Sequence, residues 1–256
     1  MSAPTDDARF ERNRPSVGLS RGDAVVRLIT PGPMRRAAAL ATRFALLLAG
    51  TTLLAVAVSV TLWTGLGAGP LDVFIGAIRV HTGLPLSVAV WTVVGAVIAA
   101  AWALGRRPGL GTVIGPLVVG VVMQVATAWL SGVAVPDPLI VRVVIQLLAI
   151  GAIGIGAGAL IVSGLGAGSG ELLASAASSR SGRAEHHVRL AFELAWLVLG
   201  VALGGPAGLG TVLVALTLGW SVANGHRIVD RSAGAAFRLV ADRTLARPNG
   251  PAPVLA

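Results

Sequence analysis

Two stretches of this chain, Phe44 to Leu71 and Leu110 to Pro136, contain no charged residue, and each exceeds the ~18 apolar residues that mark a membrane-spanning helix. No water meets the backbone inside a bilayer, so such a run must satisfy its N–H and C=O groups internally, as a helix does. The fold class expected is therefore all-α and polytopic. The composition agrees, with 55% hydrophobic and 12% charged residues, an average that belongs to membrane proteins rather than soluble domains.

The apolar runs, bounded by Gly, Pro or charge, predict six spans at 39–64, 86–105, 111–131, 139–163, 187–203 and 208–224. The last two are short, and the uncharged Gly204-Gly205-Pro206-Ala207-Gly208 break alone separates them. Every basic residue is Arg, and these residues cluster from Arg9 to Arg36, at Arg106 and Arg107, at Arg180, Arg183 and Arg189, and from Arg227 to Arg247. The intervening loops hold Arg79 alone, so the positive-inside rule puts both termini in the cytoplasm of a bacterial plasma membrane. The net charge of +9 follows from those flanks. It forms no stripe with interleaved aromatics of the kind that binds nucleic acid. Trp63, Trp91 and Trp129 near the outer boundary and Trp102 near the inner one fit an interfacial belt.

An internal repeat organises the spans. Gly65-Leu66-Gly67-Ala68-Gly69 recurs as Gly164-Leu165-Gly166-Ala167-Gly168, and at the same displacement of 99 positions Gly109-Leu110-Gly111-Thr112 falls on Gly208-Leu209-Gly210-Thr211 and Arg43 on Arg142. Repeats are read before other features because they set the architecture. Three spans per copy is an odd number, so the second copy enters the bilayer upside down, a plan common in secondary transporters. The domains expected are a disordered cytoplasmic tail at 1–38, repeat one at 39–136, repeat two at 137–225, and a cytoplasmic tail at 226–256 with helical spacing suited to the inner leaflet.

The glycine turns Gly65/Gly67/Gly69 and Gly164/Gly166/Gly168 each lead into a short apolar stretch, at 71–80 and 170–179, too short to span. Asp72 and Glu171 occupy equivalent places at the start of these stretches. A carboxylate there is stabilised by the helix dipole, and the pair of stretches reads either as interfacial helices or as half-helices lining a path. Glu193 lies well inside the fifth span, where an unpaired charge costs about 2.5–3.5 kcal/mol. Arg189, one turn earlier, is placed to meet it, as an ion pair or as part of a relay. Asp72, Glu171, Glu193, Arg189 and Gln124 are the candidate path residues. Arg43 and Arg142 are expected to snorkel at opposite faces, and Gln146 to stabilise helix contacts. Gly111/Gly115, Gly154/Gly158 and Gly200/Gly204 have the spacing that lets helices approach closely.

No Walker loop and no His-Glu-x-x-His occurs, Cys is absent, and His186-His187 lacks metal-ligand spacing. No enzyme activity, metal or cofactor is expected.

Gly67-Ala68-Gly69-Pro70-Leu71-Asp72-Val73, Thr82-Gly83, Pro108-Gly109-Leu110-Gly111-Thr112, Arg189 with Glu193, and Gly204-Gly205-Pro206-Ala207-Gly208-Leu209-Gly210-Thr211 together resemble the YczE-like bacterial membrane proteins, related in style to the YitT group. The likeness covers roughly residues 40–225. Where that family's second copy tends to read Gly-Pro-Arg-Asp, this chain has Gly168-Ser169-Gly170-Glu171. The resemblance implies an integral plasma-membrane protein and supplies no substrate residues. The function expected is a permease for a small solute or ion; the alternative is a non-transporting subunit that binds a solute or a partner membrane protein. Self-association is compatible with either.

Overall fold

The computed structural model describes residues 33–245, with side chains over 37–232. The tail expected over 1–38 therefore lies largely outside the described residues, as does the end of the C-terminal tail. Backbone packing divides the chain at Ala41/Thr42. In the first unit the described residues are helical; the second, from Thr42 onward, contains the cavities and the repeated turns.

Eight helices account for the regular structure of the described residues: α1 (Pro33–Trp63), α2 (Pro70–Thr82), α3 (Leu86–Ala103), α4 (Leu110–Leu130), α5 (Leu139–Ser163), α6 (Ser169–Ser181), α7 (Glu185–Ala202) and α8 (Leu209–Leu245). Five are long and apolar enough to cross a membrane: Ala37–Trp63, Leu86–Ala103, Leu110–Leu130, Leu139–Ser163 and Leu209–Ser232. α7 matches α3 in length at 18 residues, but carries Glu185, Arg189 and Glu193. α8 does not stop at 224, where the Asn224-Gly225 pair suggests an end, and runs on to Leu245. Gly225 serves there as a packing surface against Gly154 and Gly158.

The helix boundaries themselves repeat. α2 and α6 are both 13 residues long, both close on a left-handed glycine with φ 67° (Gly83 and Gly182), and start 99 positions apart. In each, the glycine N–H bonds back to the carbonyl four residues earlier, Arg79 or Ser178, at 2.9 Å, which satisfies an end carbonyl of the helix. Pro70 suits the first turn of α2 because its missing N–H has no helical partner there.

The two halves exchange contacts. Gly111 N–H donates to Leu165 O at 2.9 Å, and its counterpart Gly210 N–H donates to Leu66 O at 2.6 Å. α2 packs on α7 while α3 packs on α6. α1 and α5 run antiparallel. Near the start of the contact a Cβ on Gly50 would lie 2.7 Å from Ala159 Cβ, further on one on Gly156 would lie 3.0 Å from Leu54 Cβ, and at the end of α1 the Thr64 hydroxyl donates to Gln146 Oε1 at 2.8 Å.

Two apolar clusters form the interior. One gathers Val58, Ile75, Leu86, Val90, Met123 and Ile153; the other, Val97, Ala101, Leu172, Leu173 and Ala176. The outward faces are also apolar, with Val125, Leu148, Val198 and Leu216 exposed. A soluble protein rarely leaves so much apolar surface open, and contact with lipid explains it.

Candidate functional site

Four of the path residues expected from sequence, Asp72, Glu171, Glu193 and Arg189, separate into two cavities. The first, of about 400 Å³, is lined by Asp72 and Arg79 of α2, Trp63 at the end of α1, Met123 and Thr127 of α4, and Pro206 between α7 and α8. The second, of about 190 Å³, is lined by Leu71, Gly168, Glu171, Arg189, Glu193 and Trp196, among others. Leu71 and Gly168 bring the first turns of α2 and α6 to the same cavity.

The glycine turns make this arrangement possible. Gly67 has φ 105° and a Cβ there would sit 2.5 Å from Thr211 Oγ1 and 2.7 Å from Gly208 N, so neither its backbone conformation nor its neighbours admit a side chain. The turn is fastened from α5. Gln146 is fully buried, receives the Thr64 hydroxyl, and donates through Nε2 to Gly67 O at 3.0 Å. Arg142 Nε donates to Thr64 O at 2.8 Å. Arg142 therefore holds the turn and does not snorkel, because the Thr64 carbonyl at the end of α1 has no helical donor left for it. On the other side the Thr112 hydroxyl donates to Ala167 O at 2.7 Å.

Asp72 accepts the backbone N–H of Gly69 at the start of α2. Glu171 does the same for its own turn, accepting Gly168 N–H at 3.0 Å. The partner of Arg189 differs from the sequence expectation. Its guanidinium pairs with Glu171 of α6 at 3.4 Å, with the two side chains 45% and 33% exposed, although its charge still reaches Glu193. Helical spacing brought Arg189 toward Glu193, yet the packing of α6 on α7 offers it a better-exposed carboxylate. Among the described residues, no base lies within 4.0 Å of Asp72 or Glu193.

Gln124 is not with the others. Its Oε1 accepts Ser87 N–H at 3.2 Å, covering a free donor in the first turn of α3. Of the tryptophans, Trp91 packs against Gly120 and donates to Leu117 O at 3.3 Å while its outer face stays exposed. Trp63 donates to Val133 O at 3.0 Å, while Trp102 and Trp129 are exposed as belt residues would be. Arg79 and Thr127 were not singled out by the sequence. Arg79 is the lone Arg between the first two expected spans, the one available hint of its place; Thr127 gives no signal in an apolar helix.

Residues 38–226 match a family model described as a family of unknown function, DUF6198. The chain belongs to this family. It is 30% identical over 184 residues to the "Uncharacterized membrane protein YczE" of Bacillus subtilis (strain 168), covering 70% of this chain and 83% of the relative. It is also 29% identical over 174 residues to an "Uncharacterized protein" of Haemophilus influenzae, covering 68% of this chain and 78% of the relative. No solved structure matches. The YczE-like resemblance thus holds, and with the apolar helices it makes this a multi-pass membrane protein.

Proposed function

We propose that the protein is a permease of the bacterial plasma membrane for a small solute or ion, built from two inverted three-helix repeats with cytoplasmic termini. The carrying observation is the pair of cavities, one at the ends of α1 and α4 and one at the starts of α6 and α7, with the first turn of α2 reaching both through Asp72 and Leu71. Broken backbone at membrane depth persists only where protein or water covers it, and half-helices whose N-termini meet near the midplane are a transporter device. In this reading α2 and α6 dip in from opposite faces. The antiparallel course of α1 and α5 and the reciprocal bonds Gly111–Leu165 and Gly210–Leu66 support the inversion.

α7 is the sixth span. Leu190, Leu194, Val198 and Val201 form an exposed apolar stripe along it, suited to lipid, while Arg189 and Glu193 line the inner cavity. Its charges are thereby kept off the lipid, the arrangement that intramembrane ionisable residues adopt.

Purified protein in sealed vesicles, exposed to a metabolite extract and analysed for internalised solutes, tests this reading. The expected result is selective accumulation over empty vesicles. Binding without flux overturns transport and leaves a capture subunit.

A further inference from the structure

The first cavity carries two opposite charges that the protein itself leaves unmatched. Asp72, Ile75, Gly76, Arg79 and Val80 line it from α2, a spacing that puts all five on one helix face. Among the described residues, no base lies within 4.0 Å of Asp72 and no acid within 4.0 Å of Arg79. In the second cavity, by contrast, Glu171 already has Arg189. Seven residues of helix separate Asp72 from Arg79, about 10 Å along the axis. The wall between them is apolar: Ile75 and Met123 are buried, with Leu62 and Leu130 beside them. Arg79 and Val80 are exposed whereas Asp72 is half-buried, so Arg79 stands at the mouth and Asp72 deeper. Thr127, on the α4 wall, has a buried hydroxyl oxygen without a partner, the kind of group that a bound molecule completes.

A carboxylate in so apolar a wall calls for a cation. A metal ion is a poor match, because hard divalent ions take about six or more oxygen ligands and the lining side chains offer oxygens only from Asp72, Thr127 and Ser131. Arg79 at the mouth repels a bare cation and is matched by an anionic group on the same solute. An α-amino acid carries both charges at one carbon and cannot reach both residues; an apolar chain between the charges can, and it suits the wall. We propose that the first cavity binds a zwitterion whose ammonium and carboxylate lie at opposite ends of an apolar chain, the ammonium on Asp72 and the carboxylate on Arg79. This deepens the permease reading, on which it rests, by naming the class of solute.

Calorimetric titration of the full-length protein in lipid nanodiscs, corrected for empty nanodiscs, tests this with 6-aminohexanoate and its constitutional isomer leucine. The isomers share composition and net charge and differ in where the charges sit. The expected result is that 6-aminohexanoate binds at least about tenfold tighter, since leucine would bring its carboxylate beside Asp72. Asp72→Asn keeps an oxygen for the Gly69 N–H and removes the charge; it should weaken 6-aminohexanoate by more than about tenfold. Asp137→Asn, at an exposed acid that does not line the cavity, should leave the affinity unchanged. Arg79→Gln should weaken 6-aminohexanoate about threefold, as for an exposed pair, and leave 6-aminohexanamide, which has no carboxylate, undiminished. Leucine binding as tightly as its isomer overturns the proposal, as does an absence of binding at millimolar 6-aminohexanoate; both arms use the wild-type protein alone. An affinity unmoved by Asp72→Asn overturns it equally and leaves Asp72 as a cap for its turn. If vesicles accumulate other solutes while 6-aminohexanoate does not bind, the zwitterion site fails and the permease reading stands; binding without flux has the reverse meaning.

Discussion

At the residue scale, Gln146 shows what a single buried amide does. Its position in the first copy is occupied by Leu47, which is also fully buried, so the amide is an asymmetric addition. It fastens only the first glycine turn, through Thr64 and Gly67 O. Gln146→Leu leaves the Gly67 carbonyl short of its donor and should destabilise by about 1–3 kcal/mol, read as a lower melting temperature in detergent; an unchanged melt would remove the amide from this role. Gly67→Ala should be worse than Gly151→Ala. The first site has φ 105° and crowded neighbours, whereas a Cβ at Gly151 meets nothing within 4 Å. Comparable melting of the two would contradict the turn geometry. Arg189→Gln, by contrast, breaks an exposed pair worth about 0–1 kcal/mol and should leave the melt nearly unmoved.

At the element scale the closest approach is between α5 and α8. A Cβ on Gly154 would collide with Ser221, and one on Gly158 would lie 2.5 Å from His226 N, while the Ser221 hydroxyl donates to Ile150 O at 2.8 Å. Small residues at four-residue spacing on both helices let the backbones meet, which is where helix association inside lipid gains its dispersion energy. Gly154→Leu should therefore cost several kcal/mol or block folding, since overpacking alone costs about 1–3 kcal/mol. Gly219→Leu on α8, where a Cβ meets nothing within 4 Å, should be tolerated; equal expression and melting of the two would show that α5 and α8 do not touch this way. The Gly154/Gly158 spacing was legible in the sequence. Its partner was not, because any other small-residue stripe could have faced it.

At the scale of the whole molecule, the inverted arrangement proposed above makes a topological prediction. Ala68, in the first glycine turn, is fully buried and is a poor probe. Thr82 and Ser181 are exposed, equivalent residues at the ends of α2 and α6, and the chain has no native Cys. Thr82→Cys should react with an impermeant thiol reagent from outside intact cells, and Ser181→Cys only after the membrane is opened. Labelling of both from the same side would mean that the halves are parallel.

Apolar run length determined from sequence alone that the chain is helical and membrane-embedded, and the recurrence of Gly-Leu-Gly-Ala-Gly located the two glycine turns 99 positions apart, because those are properties of local composition and of position along the chain. The equivalent places of Asp72 and Glu171 were legible for the same reason. Partner choice was decided by the tertiary structure. Arg189 pairs with Glu171 and not Glu193, Arg142 grips the Thr64 carbonyl, and Gln124 covers the start of α3. Each of these joins residues far apart in sequence, and only the packing of α5, α6 and α7 against the opposite copy sets which charge or donor lies within reach.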